Sequence, residues 1–186
     1  MNKDQHTAIY IPQQADKEKL MQQLEVNSFP ESLLFLDGLK GLIFSGSTLL
    51  HFLKEEIRHE LYFIKPANDI SLATSSEGEQ KKALVNYLLS QHPAFLILDE
   101  LLDNLDISKQ AEVIETISAA SSQTIIIQLY TRRQDLLPFI ENIFEFVNNK
   151  ISRVENYDRD QVELIKSAIK IPPALESMIM LEDPLI

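Results

Sequence analysis

The chain contains a short apolar run that constrains its fold more than any other feature. Residues 94–98 are all apolar, and two carboxylates, Asp99 and Glu100, follow them directly. A continuous apolar run of this length is typical of a strand that is buried on both faces of a parallel sheet. Helix-like patterns at residues 77–91 and 108–120 lie on either side of it. Because strands and helices alternate in this way, the sequence predicts an α/β fold in three layers.

Asp99 and Glu100 are predicted to lie at the tip of this strand, on the edge where open α/β sheets bind ligands. Asp99 could hold Mg²⁺ there, either directly or through a water molecule. Glu100 could act as the base that orients and polarises the attacking water in phosphoryl transfer. The plainer alternative is a strand that ends in polar residues because a loop follows it.

A second candidate site lies at the start of the helix predicted for residues 77–91. Ser76 is a good N-cap, and Glu79 three residues later completes a capping box. A serine hydroxyl and the small Gly78 at a helix N-terminus can form an anion site, because free N–H groups and the helix dipole face the ligand. An ordinary capped amphipathic helix would explain the same residues.

These segments together resemble the second half of an ABC-type ATPase nucleotide-binding domain. Residues 75–80, Ser-Ser-Glu-Gly-Glu-Gln, resemble the signature motif of that family, and residues 94–100 resemble its Walker B strand. Residues 103–106, Asp-Asn-Leu-Asp, resemble its D-loop, and Ser76 precedes Asp99 by 23 residues, which is the family spacing. The resemblance implies a three-layer P-loop-NTPase-like sandwich with a reduced N-terminal lobe.

The resemblance also implies residue roles and a partner. Arg132 stands where the family has its switch histidine, and residues 135–147 and 171–177 resemble tandem ABC ATPases related to the molybdate-uptake accessory ATP-binding proteins. In such proteins the signature and D-loop of one domain close over ATP and Mg²⁺ bound by a second ABC ATPase domain. The residues implied for this binding in trans are Ser76, Gly78, Glu79, Asp103 and Asp106.

The chain departs from the family most clearly at the phosphate-binding loop. Residues 41–48 contain the glycine frame of such a loop, with Gly41 and Gly46, but Ser47 replaces the lysine that neutralises the β- and γ-phosphates. We therefore predict a strand, a turn and a helix there, with Ser47 as the helix cap. Glu77 replaces a small residue of the signature and brings negative charge towards the phosphate position.

The composition restricts the possible classes of function. The net charge is −11 and the pI is about 4.8, so we expect no broad nucleic-acid-binding face, because an acidic surface repels a phosphate backbone. The chain has no cysteine, which excludes disulfides and thiolate metal sites. The first residues lack a signal-peptide apolar region, and no apolar run approaches the ~20 residues that span a bilayer. We expect a soluble, cytoplasmic protein without direct membrane insertion.

Weaker patterns complete the expected organisation. We expect one degenerate ABC ATPase-like domain at residues 1–170, with a reduced lobe at 1–69 and the signature, Walker B and D-loop half at 70–148. Residues 171–186, which contain three prolines, are interpreted as a linker toward a possible second ATPase domain. Further strands are predicted at residues 7–11, 33–36, 42–44, 61–64, 124–129 and 143–147, and further helices at 14–25, 48–60, 136–142 and 162–170.

The sequence leaves three functions open. We predict that the chain completes or regulates ATP hydrolysis in a partner ABC ATPase domain, in tandem or as a dimer, and hydrolyses ATP negligibly by itself. The first alternative is an active, unusual P-loop NTPase that uses the segment from Gly41 to Thr48 with Asp99 and Glu100. The second alternative is a structural interaction domain that has lost all contact with nucleotide.

Overall fold

The computed structural model describes residues 5–66 and 70–155, and within them it has six strands and four α-helices. The strands are β1 (Thr7–Tyr10), β2 (Gly41–Phe44), β3 (Phe95–Asp99), β4 (Ile125–Tyr130), β5 (Asn142–Val147) and β6 (Lys150–Arg153). The helices are α1 (Lys17–Glu25), α2 (Gly46–His59), α3 (Glu77–Ser90) and α4 (Ile107–Ala120). Short 3₁₀ helices lie at Glu31–Leu36, Leu72–Thr74 and Arg133–Asp135.

The strands form one sheet in the order β2-β3-β4-β1-β5-β6. Neighbouring strands from β2 to β5 are parallel, and β6 returns antiparallel beside β5. Because β3, β4 and β1 lie side by side and run in the same direction, their carboxyl ends meet at one edge of the sheet. The segments that follow these three strands are therefore neighbours, although they are far apart in sequence.

Two apolar cores lie on opposite faces of this sheet. Successive residues of β3 alternate between them, with Leu96 and Leu98 in one core and Phe95 and Ile97 in the other. Helices α2, α3 and α4 cover the first face, whereas α1 and the 3₁₀ helix Glu31–Leu36 cover the second. Both faces are covered, which explains why β3 is apolar almost throughout. The predicted three-layer α/β fold is confirmed.

The strand predicted at residues 33–36 is wrong, because the 3₁₀ helix Glu31–Leu36 lies there. Leu33 and Leu36, three residues apart, are fully buried, whereas Leu34 between them is 55% exposed. This spacing matches one turn of a 3₁₀ helix and differs from the two-residue alternation of a strand.

The strand predicted at residues 61–64 and the helix predicted at residues 136–142 are also wrong. Residues 61–64 run outside the described sheet, and most of their side chains are exposed. Residues 136–141 follow an irregular path that Gln128 of β4 supports, and residue 142 already belongs to β5. Its side-chain amide donates to the carbonyl of Asp135 at 2.6 Å and accepts from the N–H of Leu137 at 2.8 Å. These side-chain bonds replace the backbone pattern of a helix.

The remaining expectations concern a helix cap and the end of the chain. Ser45 caps α2 instead of the predicted Ser47, because its Oγ accepts from the N–H of Thr48 at 3.1 Å. The helix predicted at residues 162–170 and the linker predicted at 171–186 lie outside the described residues. Within the described part of the chain, no helix is both long and apolar enough to cross a membrane.

Candidate functional site

The carboxyl end of β3 presents two carboxylates at the edge that β1, β3 and β4 share. Asp99 is the last residue of β3, and its side chain is 12% exposed, whereas that of Glu100 is 35% exposed. Glu100 has a φ of 47°, in the left-handed region that residues other than glycine rarely adopt. Its N–H donates to the carbonyl of Leu129 on β4 at 3.1 Å. The turn out of β3 is thus anchored to the neighbouring strand.

Sequence reasoning missed the residue that faces these carboxylates. Lys17 is the first residue of α1, and its ammonium nitrogen lies 2.8 Å from Oδ1 of Asp99 and 3.0 Å from Oε2 of Glu100. The sheet order makes this contact possible, because β1 and β3 lie on either side of β4 and α1 follows β1. The available signal was a lysine at the start of a helix that follows a short strand.

The charges in this cluster shift one another's ionisation. Burial raises the pKa of Asp99, and the hydrogen bond and charge of Lys17 reverse that effect only in part. Burial lowers the pKa of Lys17, but the hydrogen bonds and charges of Asp99 and Glu100 outweigh it and raise this pKa overall. Lys17 is therefore the main compensation for a carboxylate that is largely removed from water.

The segment between β1 and α1 has the position of a phosphate loop without its chemistry. A phosphate loop joins a strand to a helix and places its lysine at the seventh position of an eight-residue frame. If Lys17 takes that position, Ile11 and Asp16 stand at the two glycine positions and Glu18 stands at the serine or threonine position. A side chain on each of these residues, two of them anionic, leaves no open cradle for phosphate.

Three backbone N–H groups in and beside this segment already have acceptors within the chain. The N–H of Ala15 donates to the carbonyl of Pro12 at 2.9 Å, and that of Lys17 donates to the carbonyl of Ala15 at 3.0 Å. The N–H of Lys19 donates to the carboxylate of Asp16, the N-cap of α1, at 3.1 Å. Helix N-termini bind anions through free N–H groups, and here a carboxylate of the chain itself takes that place.

Arg132 lies at the same edge, after β4, and pairs with two carboxylates. Its Nε donates to Oδ2 of Asp135 at 2.7 Å, and its Nη1 lies 3.1 Å from Oδ1 of Asp103. The hydrogen bond to Asp135 is the main reason why the pKa of Arg132 is raised. The residue predicted at the switch-histidine position therefore contacts the predicted D-loop.

The predicted signature segment lies at the exposed start of α3. The N–H and Oγ of Ser76 donate to Oε2 of Glu79 at 2.9 and 2.7 Å, and the N–H of Glu79 donates back to Oγ of Ser76 at 3.4 Å. The predicted capping box is confirmed, and the hydrogen bonds from Ser76 lower the pKa of Glu79. Glu77 is half exposed and pairs with Lys81 at 3.2 Å. Two carboxylates therefore stand at this helix end.

The start of α3 is joined to the predicted D-loop and to α4. Lys81, which is buried, donates to the carbonyl of Asp103 at 2.5 Å. Gly78 faces α4, since a Cβ there would lie 3.2 Å from Cγ of Lys109. Asp106 caps α4 by accepting from the N–H of Lys109 at 2.9 Å. The predicted signature and D-loop residues thus belong to one connected region.

Residues 41–48 do not form a loop. Gly41–Phe44 is the strand β2, Ser45 alone connects it to α2, and Gly46 begins that helix. A Cβ on Gly41 would lie 1.9 Å from the ring of Phe95, so this glycine leaves room for an aromatic side chain of β3. The predicted strand and helix are confirmed at this position, but the single residue Ser45 stands where a turn with Ser47 as the cap was predicted.

The structure sorts the predicted site residues into two neighbouring groups. Asp99, Glu100, Asp103 and Arg132 lie along the carboxyl edge of the sheet, and Lys17 joins them there. Ser76, Gly78, Glu79 and Asp106 lie at the starts of α3 and α4. Their roles in catalysis and binding stay predictions.

Comparison with known proteins supports one family. No protein-family model matches the chain. Two proteins of Saccharolobus solfataricus, each described as a "Putative ABC transporter ATP-binding protein", are 26% identical to it. One match covers 62% of this chain and 22% of the relative, and the other covers 73% and 26%. The chain therefore spans about a quarter of the length of the curated relatives that it matches.

Solved structures share the fold at low sequence identity. The ATP-binding cassette MJ1267 of an ABC transporter matches with a TM-score of 0.57 at 15% identity, over 95% of this chain and 88% of that one. A nucleotide-free ATP-binding cassette from an ABC transporter matches with a TM-score of 0.57 at 13% identity, over 87% and 84%. The chain is thus similar in sequence to ABC transporter ATP-binding proteins, and it has the fold of ATP-binding cassettes.

The relatives are described as ATP-binding proteins, and ABC ATPases typically bind ATP together with Mg²⁺. The residues at the carboxyl edge of this chain do not fit that ligand by themselves. Lys17 already pairs with Asp99 and Glu100, and Asp16 already caps α1. Among the described residues, no group of three or more His, Asp or Glu side chains is arranged to hold a metal ion.

Proposed function

We propose that this chain is a degenerate ABC ATPase-like domain that completes or regulates the ATP site of a partner ABC ATPase domain. Domains of this class usually pair with a second ATPase domain or with a transporter partner. In the pair that we propose, the partner supplies the phosphate loop, ATP and Mg²⁺. This chain supplies the start of α3 and the turn after β3, and by itself it hydrolyses ATP negligibly.

One contrast within the molecule carries this proposal. The β1–α1 corner, where a phosphate loop would lie, is closed by ion pairs and by backbone hydrogen bonds within the chain. The start of α3 is exposed, yet Lys81 and the carbonyl of Asp103 connect it to the turn after β3. A domain built in this way has lost the means to hold its own nucleotide and has kept an ordered surface for a neighbour's nucleotide.

Each residue of that surface has a proposed role. Ser76 and Gly78 would approach the γ-phosphate of the partner's ATP from the N-terminus of α3, where the helix dipole favours an anion. Glu79 would turn away from Ser76 to free its hydroxyl and N–H groups. Asp103 and Asp106 would contact the partner along the turn after β3. Asp99, Glu100 and Arg132 would keep the family positions without completing a site of their own.

The wider organisation is part of the same proposal. Residues 1–170 would form the domain, with a reduced lobe at 1–69 and the signature half at 70–148. Residues 171–186 would connect it to a second ATPase domain, as in the tandem proteins that the sequence resembles. Such a pair would act in the cytoplasm, where ATP is available, without inserting into the membrane.

The direct test is ATP hydrolysis by the pair. The full chain is mixed with purified ABC ATPase domains from the same genome that carry an intact phosphate loop, and the steady-state rate of each is measured with and without the chain. We expect at least one of them to change its rate several-fold, in proportion to bound chain. If no such domain binds the chain or changes its rate, the proposal fails.

A matched pair of variants locates the effect. Ser76→Arg places a bulky cation at the exposed start of α3, and Ser90→Arg places it at the exposed last residue of the same helix. We expect Ser76→Arg to abolish the change in the partner's rate and Ser90→Arg to preserve it. If Ser76→Arg binds the partner and acts like the unmodified chain, the structural interaction domain becomes the better description.

A second measurement concerns the chain alone. Calorimetric titration with Mg-ATP should give no binding in the micromolar range, because the carboxylate of Asp16 takes the place of phosphate at the start of α1 and Lys17 is paired with Asp99 and Glu100. Micromolar binding, or a steady turnover that Glu100→Gln abolishes, would establish the active-NTPase alternative instead.

A further inference from the structure

The cation that pairs with Asp99 and Glu100 is a side chain of the protein. The ammonium of Lys17 lies within 3.0 Å of both Asp99 and Glu100, the two carboxylates to which the family resemblance gives metal and base roles. The side chain of Asp99 is 12% exposed. If the ammonium of Lys17 were removed, a nearly buried carboxylate would lose its opposite charge. A cation close to such a carboxylate stabilises its charged form.

The surroundings hold Lys17 in this position. α1, which begins at Lys17, is anchored to the second core by Leu20 and Leu24, both of which are buried. Its N-cap Asp16 accepts from the N–H of Lys19 and orders the first turn. The N–H of Lys17 itself donates to the carbonyl of Ala15. Because backbone hydrogen bonds fix the chain before and after Lys17, its side chain is held within reach of the two carboxylates.

The corner also lacks the chemistry that would draw the lysine away. In a working phosphate loop the lysine turns toward β- and γ-phosphates that glycine-rich backbone N–H groups hold in place. Here the chain has no glycine before Gly38, and Asp16 and Glu18 flank the lysine with negative charge. A triphosphate approaching this corner meets anionic side chains and engaged N–H groups.

We propose that Lys17 permanently replaces the divalent cation in this domain, as a built-in counter-charge that holds α1 to the end of β3. The chain's own corner then takes neither Mg²⁺ nor Mg-nucleotide, and the carboxylate pair becomes a structural element. This inference does not depend on a partner domain. It predicts that removing the ammonium converts Asp99 and Glu100 into a divalent-cation site.

The test uses the full chain and two methionine variants. Lys17→Met keeps most of the side-chain length and removes the charge, and Lys19→Met makes the same change at an exposed position of the same helix. Thermal unfolding is recorded in EDTA and in millimolar MgCl₂ or MnCl₂. We expect the unmodified chain and Lys19→Met to show the same melting temperature in all three, beyond the general effect of salt. Lys17→Met should melt several degrees lower in EDTA and recover part of that loss with either metal.

Further variants and direct binding decide the cause. The metal-dependent recovery of Lys17→Met should disappear in Lys17→Met combined with Asp99→Asn, because the proposed ligand is gone. A melting temperature of Lys17→Met equal to that of Lys19→Met in EDTA would overturn the inference. So would Mn²⁺ binding by the unmodified chain that Asp99→Asn abolishes. If Lys17→Met does not fold, calorimetry of Mn²⁺ with the unmodified chain decides alone: binding that Asp99→Asn removes refutes the inference, and its absence supports it.

Discussion

Helices α1 and α3 both begin beside the candidate site, but the residues at their starts make different kinds of contact. α1 begins with Lys17, which turns into the protein and neutralises two carboxylates of another element. α3 begins after Ser76, which is exposed and exchanges hydrogen bonds with Glu79 of its own helix. The first arrangement ties distant parts of the chain together, and the second is complete within four residues.

The start of α1 is therefore part of the protein's interior network, whereas the start of α3 is part of its surface. Ion pairs near the interior interact strongly because little water screens them, and the loss of one partner leaves a costly charge. A capping box on the surface contributes about 1 kcal/mol and its loss leaves the rest of the fold in place. A surface that can be altered without unfolding the domain is the one that evolution can fit to a partner.

The largest effect that we expect lies in the segment leading into α3. Glu56 of α2 is buried and accepts hydrogen bonds from the hydroxyl of Ser71 and from the N–H groups of Leu72 and Ala73. Glu56→Ala leaves these donors without their acceptor, and a hydrogen bond to a charged group contributes about 1.5–3 kcal/mol. We expect the free energy of unfolding in urea to fall by about 3 kcal/mol.

The control for this change is an exposed carboxylate. Glu115→Ala removes the same group from the exposed face of α4 and should change the free energy of unfolding by less than about 0.5 kcal/mol. If both variants lose the same free energy of unfolding, the hydrogen bonds of Glu56 do not hold the segment that leads into α3. The contrast between an ordered α3 start and a closed β1–α1 corner would then lose its basis.

The next largest effect distinguishes packing from phosphate binding at the two glycines of the alternative loop. Gly41→Ala places a Cβ against the ring of Phe95, and overpacking of this kind costs about 2 kcal/mol. Gly46→Ala adds a methyl group in open space at the first residue of α2, where alanine is the better helix former. We expect Gly46→Ala to leave stability in urea unchanged or slightly higher.

Nucleotide binding gives these two variants their second readout. If residues 41–48 bound phosphate, Gly46→Ala would abolish Mg-ATP binding while leaving the fold intact. We expect calorimetric traces of Gly46→Ala and the unmodified chain to be the same. If Gly46→Ala binds Mg-ATP less tightly than the unmodified chain, residues 41–48 form a nucleotide site and the active-NTPase alternative is favoured.

The sequence predicted those parts of the fold that depend on local patterns. The runs at residues 94–98 and 124–129 are strands because a strand buried on both faces needs consecutive apolar residues. The capping box of Ser76 and Glu79 is present because its hydrogen bonds span three residues. Local composition failed at residues 33–36, where the spacing of the buried leucines, and not their number, decides between strand and 3₁₀ helix.

The sequence did not predict the contact that defines the β1–α1 corner. Lys17 and Asp99 are brought together by the order of the strands, and strand order is not written in any one segment. The glycine frame of a phosphate loop occurs at residues 41–48. Residues 11–18 have the position of the loop, between β1 and α1, but contain no glycine. Lys17 stands at the lysine position of that frame, but Ile11 and Asp16 stand at its glycine positions.

Two caps of equal kind test the difference between the helix starts at a smaller scale. Ser76 caps α3 and Asp16 caps α1, and both residues are exposed. Ser76→Ala and Asp16→Ala should each lower the free energy of unfolding in urea by about 1 kcal/mol. Lys17→Met should exceed both. If Ser76→Ala lowers the free energy of unfolding more than the other two variants, the start of α3, and not that of α1, is the part that the core depends on.

The smallest effect that we expect comes from a histidine at the opposite edge of the sheet, away from both helix starts. His6 is buried, and its Nδ1 accepts from the N–H of Ile126 at 3.0 Å, which requires that nitrogen to be unprotonated. Burial lowers the pKa of His6 below its ordinary value of 6.5, and a backbone hydrogen bond with Ser121 opposes this in part. The folded state therefore favours the neutral ring.

The sign of the pH dependence follows from that preference. The stabilisation that His6 provides is fully present above the ordinary pKa of 6.5 and declines as the pH falls below 6.5 toward the lowered pKa of the folded state. Urea unfolding at about pH 7.5 and about pH 5.5 should show a modest loss at the lower pH. His6→Asn, whose amide oxygen can still accept from Ile126, should reduce that loss, and His59→Asn at the exposed end of α2 should not. If His59→Asn reduces it equally, the pH dependence arises at the surface and His6 is not its source.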